Sequence, residues 1–182
     1  MDEAIVAERL RLVIVPRSVL EAAAATGHGV HWPGIGAVSD ELVATMPCTQ
    51  WLARLDADPG VARWSARGIV IGDPDSPTGH RLVGHAGGHG RPDAEGRAEA
   101  GYTLAADERG KGIATEAVRA WFDWAHRLGA RTARVSIADG NAPSSRLAAR
   151  LGLTPVDRVW DEDDAVWETV LEAPLPLRAA AR

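Results

Sequence analysis

Hydrophobic positions change their period along the chain. Leu, Val and Ile crowd Glu8 to Val15 closely enough to predict a strand, which Pro16 ends because proline cannot donate to a ladder. Ser18 stands where it can cap a short alanine-rich helix, Val19 to Ala25. Thr26 to Gly36 is glycine-rich, carries His28, His31, Trp32 and Pro33, and predicts a loop. A second helix, capped by Asp40 or Ser39, runs through Leu42, Val43 and Met46 toward Trp51, Leu52 and Leu55, with Pro47 breaking it. From residue 67 the apolar runs shorten and glycine and proline separate them, as in hairpins. Gly68 to Ile71 and Arg81 to Ala86 predict strands around the turn Asp73 to Pro77, and Glu99 to Leu104 predicts a third. Thr115 to Leu128 places Val118, Trp121, Phe122, Ala125 and Leu128 at helical spacing, and Gly129 stops it. Arg134 to Ile137 is a further strand, Ser144 to Leu151 a helix ended by Gly152, and Val156 to Trp160 with Val166 to Val170 a closing strand pair. The segment after Pro174 is expected to fray.

No repeat or long linker divides this order, and 182 residues with 46% hydrophobic and 25% charged positions suit one soluble domain with one core. Cys48 is the single cysteine, which excludes an intrachain disulfide and a four-cysteine zinc site and fits a reducing compartment. The net charge of −5, with both signs interspersed, offers no broad attraction to nucleic acid or an anionic membrane. No apolar run reaches the ~20 residues of a membrane helix. Asp2, Glu3 and Glu8 stand where a signal peptide carries basic residues, so the expected location is cytoplasmic. Tyr102 is the one tyrosine, so a mechanism needing a phenol has one candidate.

The segment Arg109-Gly110-Lys111-Gly112-Ile113-Ala114 lies between a strand and the best-defined helix. Two glycines let backbone approach a ligand, and the first helical turn offers N–H groups at the positive end of its dipole. That is a phosphate-binding arrangement, and it acts locally whatever the net charge. The Walker A frame is absent, and a dinucleotide fingerprint fails because Thr115 stands at its third glycine, late in the chain. The remaining pattern is Arg/Gln-x-x-Gly-x-Gly/Ala, filled by Arg109, Gly112 and Ala114.

With this loop, the preceding Gly101-Tyr102-Thr103-Leu104, and Asn141-Ala142-Pro143-Ser144 leading to Leu151-Gly152-Leu153, the chain resembles the GNAT-type N-acetyltransferases. The opening Glu8-Arg9-Leu10-Arg11-Leu12 is similar to the RimJ/RimL-like branch. The resemblance implies an α/β (α+β) GNAT-like fold over residues 8–172, with 173–182 as a C-terminal tail. It also implies a central, mostly antiparallel mixed sheet with a splayed parallel strand pair, flanked by helices. Acetyl-CoA would enter the V between Glu99–Leu104 and Arg134–Ile137, its pyrophosphate on the backbone of Gly110, Lys111, Gly112, Ile113, Ala114 and Thr115. Its pantetheine would lie along Tyr102, Thr103 and Leu104, steadied by Asn141, and Arg109 and Lys111 could assist the phosphates.

The implied reaction is direct acetyl transfer to a primary amine, either a peptide N-terminus or a small molecule; a homodimer is compatible. A family tyrosine seven residues after the asparagine is Ala148 here, and Ser144, three residues after it, takes the proton-donor role. Ser144 equally reads as an N-cap. Glu99 is the candidate base, or else a solvated strand-end carboxylate. His31 and Trp32 are candidates for an acceptor wall, with core packing the alternative for Trp32. Asp161, Glu162, Asp163 and Asp164 read as a solvated hairpin or as attraction for a cationic acceptor. His28-x-x-His31 and His85-x-x-x-His89 lack an accompanying Cys/Asp/Glu frame, so no metal is expected. The competing readings are a catalytically silent acyl-CoA-binding or regulatory module of the same fold and, more remotely, a dinucleotide-binding domain.

Overall fold

The computed structural model, which describes residues 4–162 and 164–178, turns the apolar alternation into one eight-stranded sheet. In chain order the strands are β1 (Ile5–Val6), β2 (Leu10–Ile14), β3 (Val30–Trp32), β4 (Gly36–Val38), β5 (Arg67–Gly72), β6 (His80–Gly88), β7 (Arg97–Leu104), β8 (Thr132–Ala138), β9 (Thr154–Asp161) and β10 (Val166–Pro174). The helices are α1 (Arg17–Thr26), α2 (Asp40–Thr45), α3 (Cys48–Ala57), α4 (Ile113–Arg127) and α5 (Ala142–Leu151). The large sheet runs β1-β2-β5-β6-β7-β8-β10-β9, antiparallel at every step except the parallel β7–β8 pair, and β3 and β4 form a separate hairpin.

Both faces of the β2-β5-β6 part of the sheet are covered, while β9 stays exposed along most of its length. On one, α4 buries Ile113, Ala117, Val118, Trp121, Phe122, Trp124 and Ala125, an apolar stripe at helical spacing, against Leu12, Ile69, Val83, Ala98 and Ala100. On the other, α1, α3 and the β3–β4 hairpin enclose Leu20, Val38, Trp51, Val70 and Leu82. A Cβ at Gly87 would lie 1.6 Å from the Ser65 carbonyl oxygen, so only glycine lets β6 pass that segment. Among the described residues no helix is long and apolar enough to cross a membrane.

Several expectations change. The loop expected over Thr26 to Gly36 contains β3 and the start of β4, strands too short to show alternation. The second helix is two, because Pro47 separates them, and Ser39 caps α2 by accepting from the Leu42 N–H. Ser18 is not a cap, since α1 already starts at Arg17 after Pro16. Trp121 is core, as its spacing implies; Trp124 is core as well, and Trp64 packs against both rings. The segment expected to fray stays attached as far as it is described: Leu177 is buried and its carbonyl accepts from Arg119. Residues 179–182, Asp2, Glu3 and Asp163 lie outside the described residues.

His85 ties the two layers of this fold. Its ring lies edge-on to Trp51, Nε2 is 3.0 Å from the Thr45 carbonyl oxygen, and burial pushes its pKa down from 6.5 to about 4. The unfolded chain therefore takes up this proton near pH 6.5 and the folded chain only near pH 4. The contribution is fully present above pH 6.5 and lost as the pH falls toward about 4. Denaturant unfolding at stepped pH should show stability falling by up to about 3 kcal/mol across that window, with a flatter slope in His85→Gln.

Candidate active site

The parallel ladder between β7 and β8 is short. It pairs Arg97 with Thr132, Ala98 with Ala133 and Glu99 with Arg134, and then ends while both strands continue. Each strand follows its other neighbour instead, β7 pairing with β6 out to Leu104 and β8 with β10 out to Ala138. The separation leaves a gap of about 180 Å³ lined by residues of β7, β8, β10 and α5. It joins a larger cleft of about 690 Å³ that runs past the start of α4, and Tyr102, Asn141, Ser144 and Leu147 line both. Backbone groups on the facing edges lack the partners a continued ladder would supply, so an amide-bearing chain lying in the gap can satisfy them.

The start of α4 is shaped for an anion. Gly112 precedes it at φ 81°, and no side chain caps the helix, so the first-turn N–H groups face the larger cleft. The loop is held from behind. Arg9 donates from its backbone N–H and Nε to the Glu116 carboxylate, and from Nη1 to the Lys111 carbonyl. Arg109 donates through Nε and Nη2 to the Leu104 carbonyl. Glu108, 2% exposed, accepts from Arg81 at 2.6 Å and from Lys111 Nζ at 3.2 Å. Burial alone would raise the Glu108 pKa, but those two cations outweigh it and hold the carboxyl below its ordinary value.

All the expected cofactor residues except Lys111 line the larger cleft; the Lys111 ammonium turns to Glu108 instead. Asn141 also has a local duty, since its Oδ1 accepts from the Ser144 N–H and caps α5. That moves the helix start forward to Ala142 and removes the N-cap reading of Ser144, whose Oγ instead accepts a hydrogen bond from the Tyr102 hydroxyl at 2.9 Å. Glu99 stands where the ladder ends and accepts from Ser136 Oγ at 2.8 Å, with His89 Nδ1 3.7 Å away. His31 and Trp32 do not reach either cleft. His31 is exposed on the β3–β4 hairpin, and Trp32, 3% exposed, packs against Gly68 in the other layer.

Sequence reasoning missed three groups. Arg146 and Arg150 line the larger cleft from α5, and their i,i+4 spacing on one face of a helix was the available signal. Glu168 lines the gap from β10, paired in register with Ala138. Burial, and then the charges of Asp161, Glu99 and Asp164, raise the Glu168 pKa above its ordinary value. Among the described residues no three His, Cys, Asp or Glu side chains gather as a metal site.

The two faces of the gap differ chemically. Ala98, Ala100, Tyr102 and Leu104 pack toward α4 and α5, so the alternate β7 residues Glu99, Gly101 and Thr103 turn the other way. Hydroxyls therefore line the helical side and the Glu168 carboxylate the opposite side, with Glu99 beside it, accepting from Ser136. Helix-end amides that suit a polyanion, a slot for an extended amide chain and two arginines at the lip have the chemistry of an acyl-CoA site. The family model described as "Acetyltransferase (GNAT) domain" matches residues 26–154, and the chain belongs to that family. It has the GNAT fold and is an acetyl-CoA-dependent acetyltransferase.

Solved structures share this fold. RimL, a ribosomal-protein α-N-acetyltransferase, superposes with a TM-score of 0.64 at 17% identity, covering 96% of this chain and 96% of that one. A GNAT-family acetyltransferase from Bacillus anthracis gives 0.60 at 17% identity, covering 94% and 98%. The microcin self-immunity acetyltransferase MccE, solved in complex with acetyl-CoA and AMP, gives 0.63 at 15% identity, covering 92% and 93%. Among proteins of curated function, none matches the chain in sequence.

Valine at Gly112 would be forced to a positive φ and would set a branched side chain in the cradle. Titration calorimetry should show Gly112→Val weakening coenzyme A binding by about tenfold or more, equivalent to about 1.4 kcal/mol. NAD and ATP should raise the melting temperature of neither protein.

Proposed function

We propose that the protein transfers the acetyl group of acetyl-CoA directly to a primary amine, on a protein or peptide N-terminus or on a small molecule. The observation that carries this reading is the gap through the sheet, with the Tyr102 and Ser144 hydroxyls on one side and the Glu168 carboxylate, with Glu99 beside it, on the other. The amine approaches from the face of Glu99 and Glu168, where two carboxylates favour a cationic ammonium. Glu99, oriented by Ser136, takes the ammonium proton directly or through a water. Ser144 protonates the departing thiolate from the other side, so the two proton transfers do not compete for one group.

Backbone N–H groups from Gly110 to Thr115 hold the pyrophosphate, Tyr102, Thr103 and Leu104 carry the pantetheine, and Asn141 steadies it. Arg146 and Arg150 add positive charge at the lip, and Arg109, held by the Leu104 carbonyl, lines the same cleft. Much of the acceleration comes from alignment, since well-oriented reactants reach effective molarities of roughly 10⁵ M or more. His31 and Trp32 have no part in this reading, because Trp32 is committed to the core.

The test follows thiol release from acetyl-CoA across N-terminal peptides, diamines and other small amines. At least one class should be turned over, and Ser144→Ala and Glu99→Gln should each lower kcat about a hundredfold while coenzyme A affinity holds. Full activity in Ser144→Ala would remove it as the donor. Thermal stabilisation by coenzyme A without turnover of any amine would reduce the protein to a binding module.

A further inference from the structure

The Tyr102–Ser144 hydrogen bond joins two hydroxyls from different elements where the large cleft meets the gap, and both side chains line both cavities. Because the Tyr102 O–H donates to Ser144 Oγ, the serine's own proton is free to point into the cavities that its side chain lines, the gap among them. The next α5 residues on that wall are Leu147 and Ala148, which bring no polar group. Arg150, which lines the same cleft, is close enough for its positive charge to favour phenolate.

We propose that Tyr102 is the proton source behind Ser144, so that the thiolate is protonated by a two-hydroxyl relay running from Tyr102 through Ser144. This rests on the acetyl-transfer reading above. As the carbon–sulfur bond breaks, sulfur takes the proton of Ser144 Oγ, and Oγ takes the phenolic proton of Tyr102. The negative charge thus moves from sulfur to the phenolate, next to Arg150, and water returns a proton to Tyr102 before the next turnover. A serine hydroxyl alone is a poor acid, since it would be left as an alkoxide; the relay replaces that alkoxide with a phenolate, whose conjugate acid has an ordinary pKa of about 10. Tyr102 acts through Ser144 and is a positioning residue in this scheme.

Burial raises the Tyr102 pKa more than the Ser144 hydrogen bond and Arg150 lower it, so the phenol stays protonated at neutral pH. The other charged groups lining these cavities are Arg109 from the loop, Arg146 from α5 and Glu168 from β10. The arginines keep their charge throughout, and Glu168, a carboxylate, titrates well below the phenol.

A single tyrosine makes the test direct, because biosynthetic replacement of tyrosine by 3,5-difluorotyrosine alters Tyr102 alone. Activity requires the protonated phenol, so kcat falls as the pH rises through the phenol's pKa. The more acidic fluorinated ring should move that alkaline limb to lower pH, in step with the phenol titration followed by absorbance on the same sample. In Tyr102→Phe, kcat should fall about tenfold to a hundredfold with the limb lost, while KM and Kd for acetyl-CoA stay within about twofold. Adding Ser144→Ala to Tyr102→Phe should cost little beyond Ser144→Ala alone, as for two members of one relay. A structural pin would instead weaken cofactor binding and leave the limb in place. The proposal is overturned if Tyr102→Phe keeps kcat within about twofold of wild type, or if fluorination leaves the limb unmoved. If Tyr102→Phe folds poorly, the fluorinated protein, which keeps the ring and hydroxyl, decides alone. A wild-type protein that binds coenzyme A yet turns over no amine overturns the transfer reading itself, before any Tyr102 comparison.

Discussion

Two strands that begin a parallel ladder and then part leave backbone groups facing one another without partners, and the site of this protein is built on that defect. The ladder ends at Glu99 and Arg134 because each strand is bound more extensively on its outer side, β7 to β6 and β8 to β10. Neither strand can follow its inner neighbour without giving up a longer ladder. The unsatisfied edges await an extended amide chain, and the opening gives the two faces of the sheet access to one another. Glu99 stands at the fork, and Tyr102 and Ser144 meet above it.

The anion cradle depends on a different economy of charge. Most cations near the loop are spent on holding its shape: Arg9 on Glu116 and the Lys111 carbonyl, Arg81 and Lys111 on Glu108, Arg109 on the Leu104 carbonyl. Helix-end amides, and Arg146 and Arg150 from α5, are what line the cleft itself. A chain of net charge −5 can hold a polyanion this way because the favourable field is local and its donors are preorganised.

Strong periodicity was the legible part. The apolar stripe of α4 was readable to within two residues at its start, and the glycines before and after it mark real backbone needs. The turn at Gly110 and Gly112 was legible because glycine spacing records a backbone conformation directly, and both stand at positive φ. The β3–β4 hairpin was not, since three-residue strands carry too few positions to show alternation, and its Trp32 looked like pocket lining when it is core. Ser144 illustrates a subtler limit. Serine after asparagine near a helix start reads as a cap, yet Asn141 does the capping, and that frees the Ser144 hydroxyl for Tyr102.

By itself the sequence determined the number and kind of elements, the single domain and the amide cradle, because these follow from local spacing of apolar residues and glycine. Tertiary structure alone decided which groups meet. Tyr102 and Ser144 lie 42 residues apart, Glu99 and Ser136 lie 37 apart, and nothing in either local pattern says that their oxygens share a hydrogen bond. Their meeting depends on where one parallel ladder stops. That register is set by the competing pairing of four strands, a property of the whole sheet rather than of any segment of the chain.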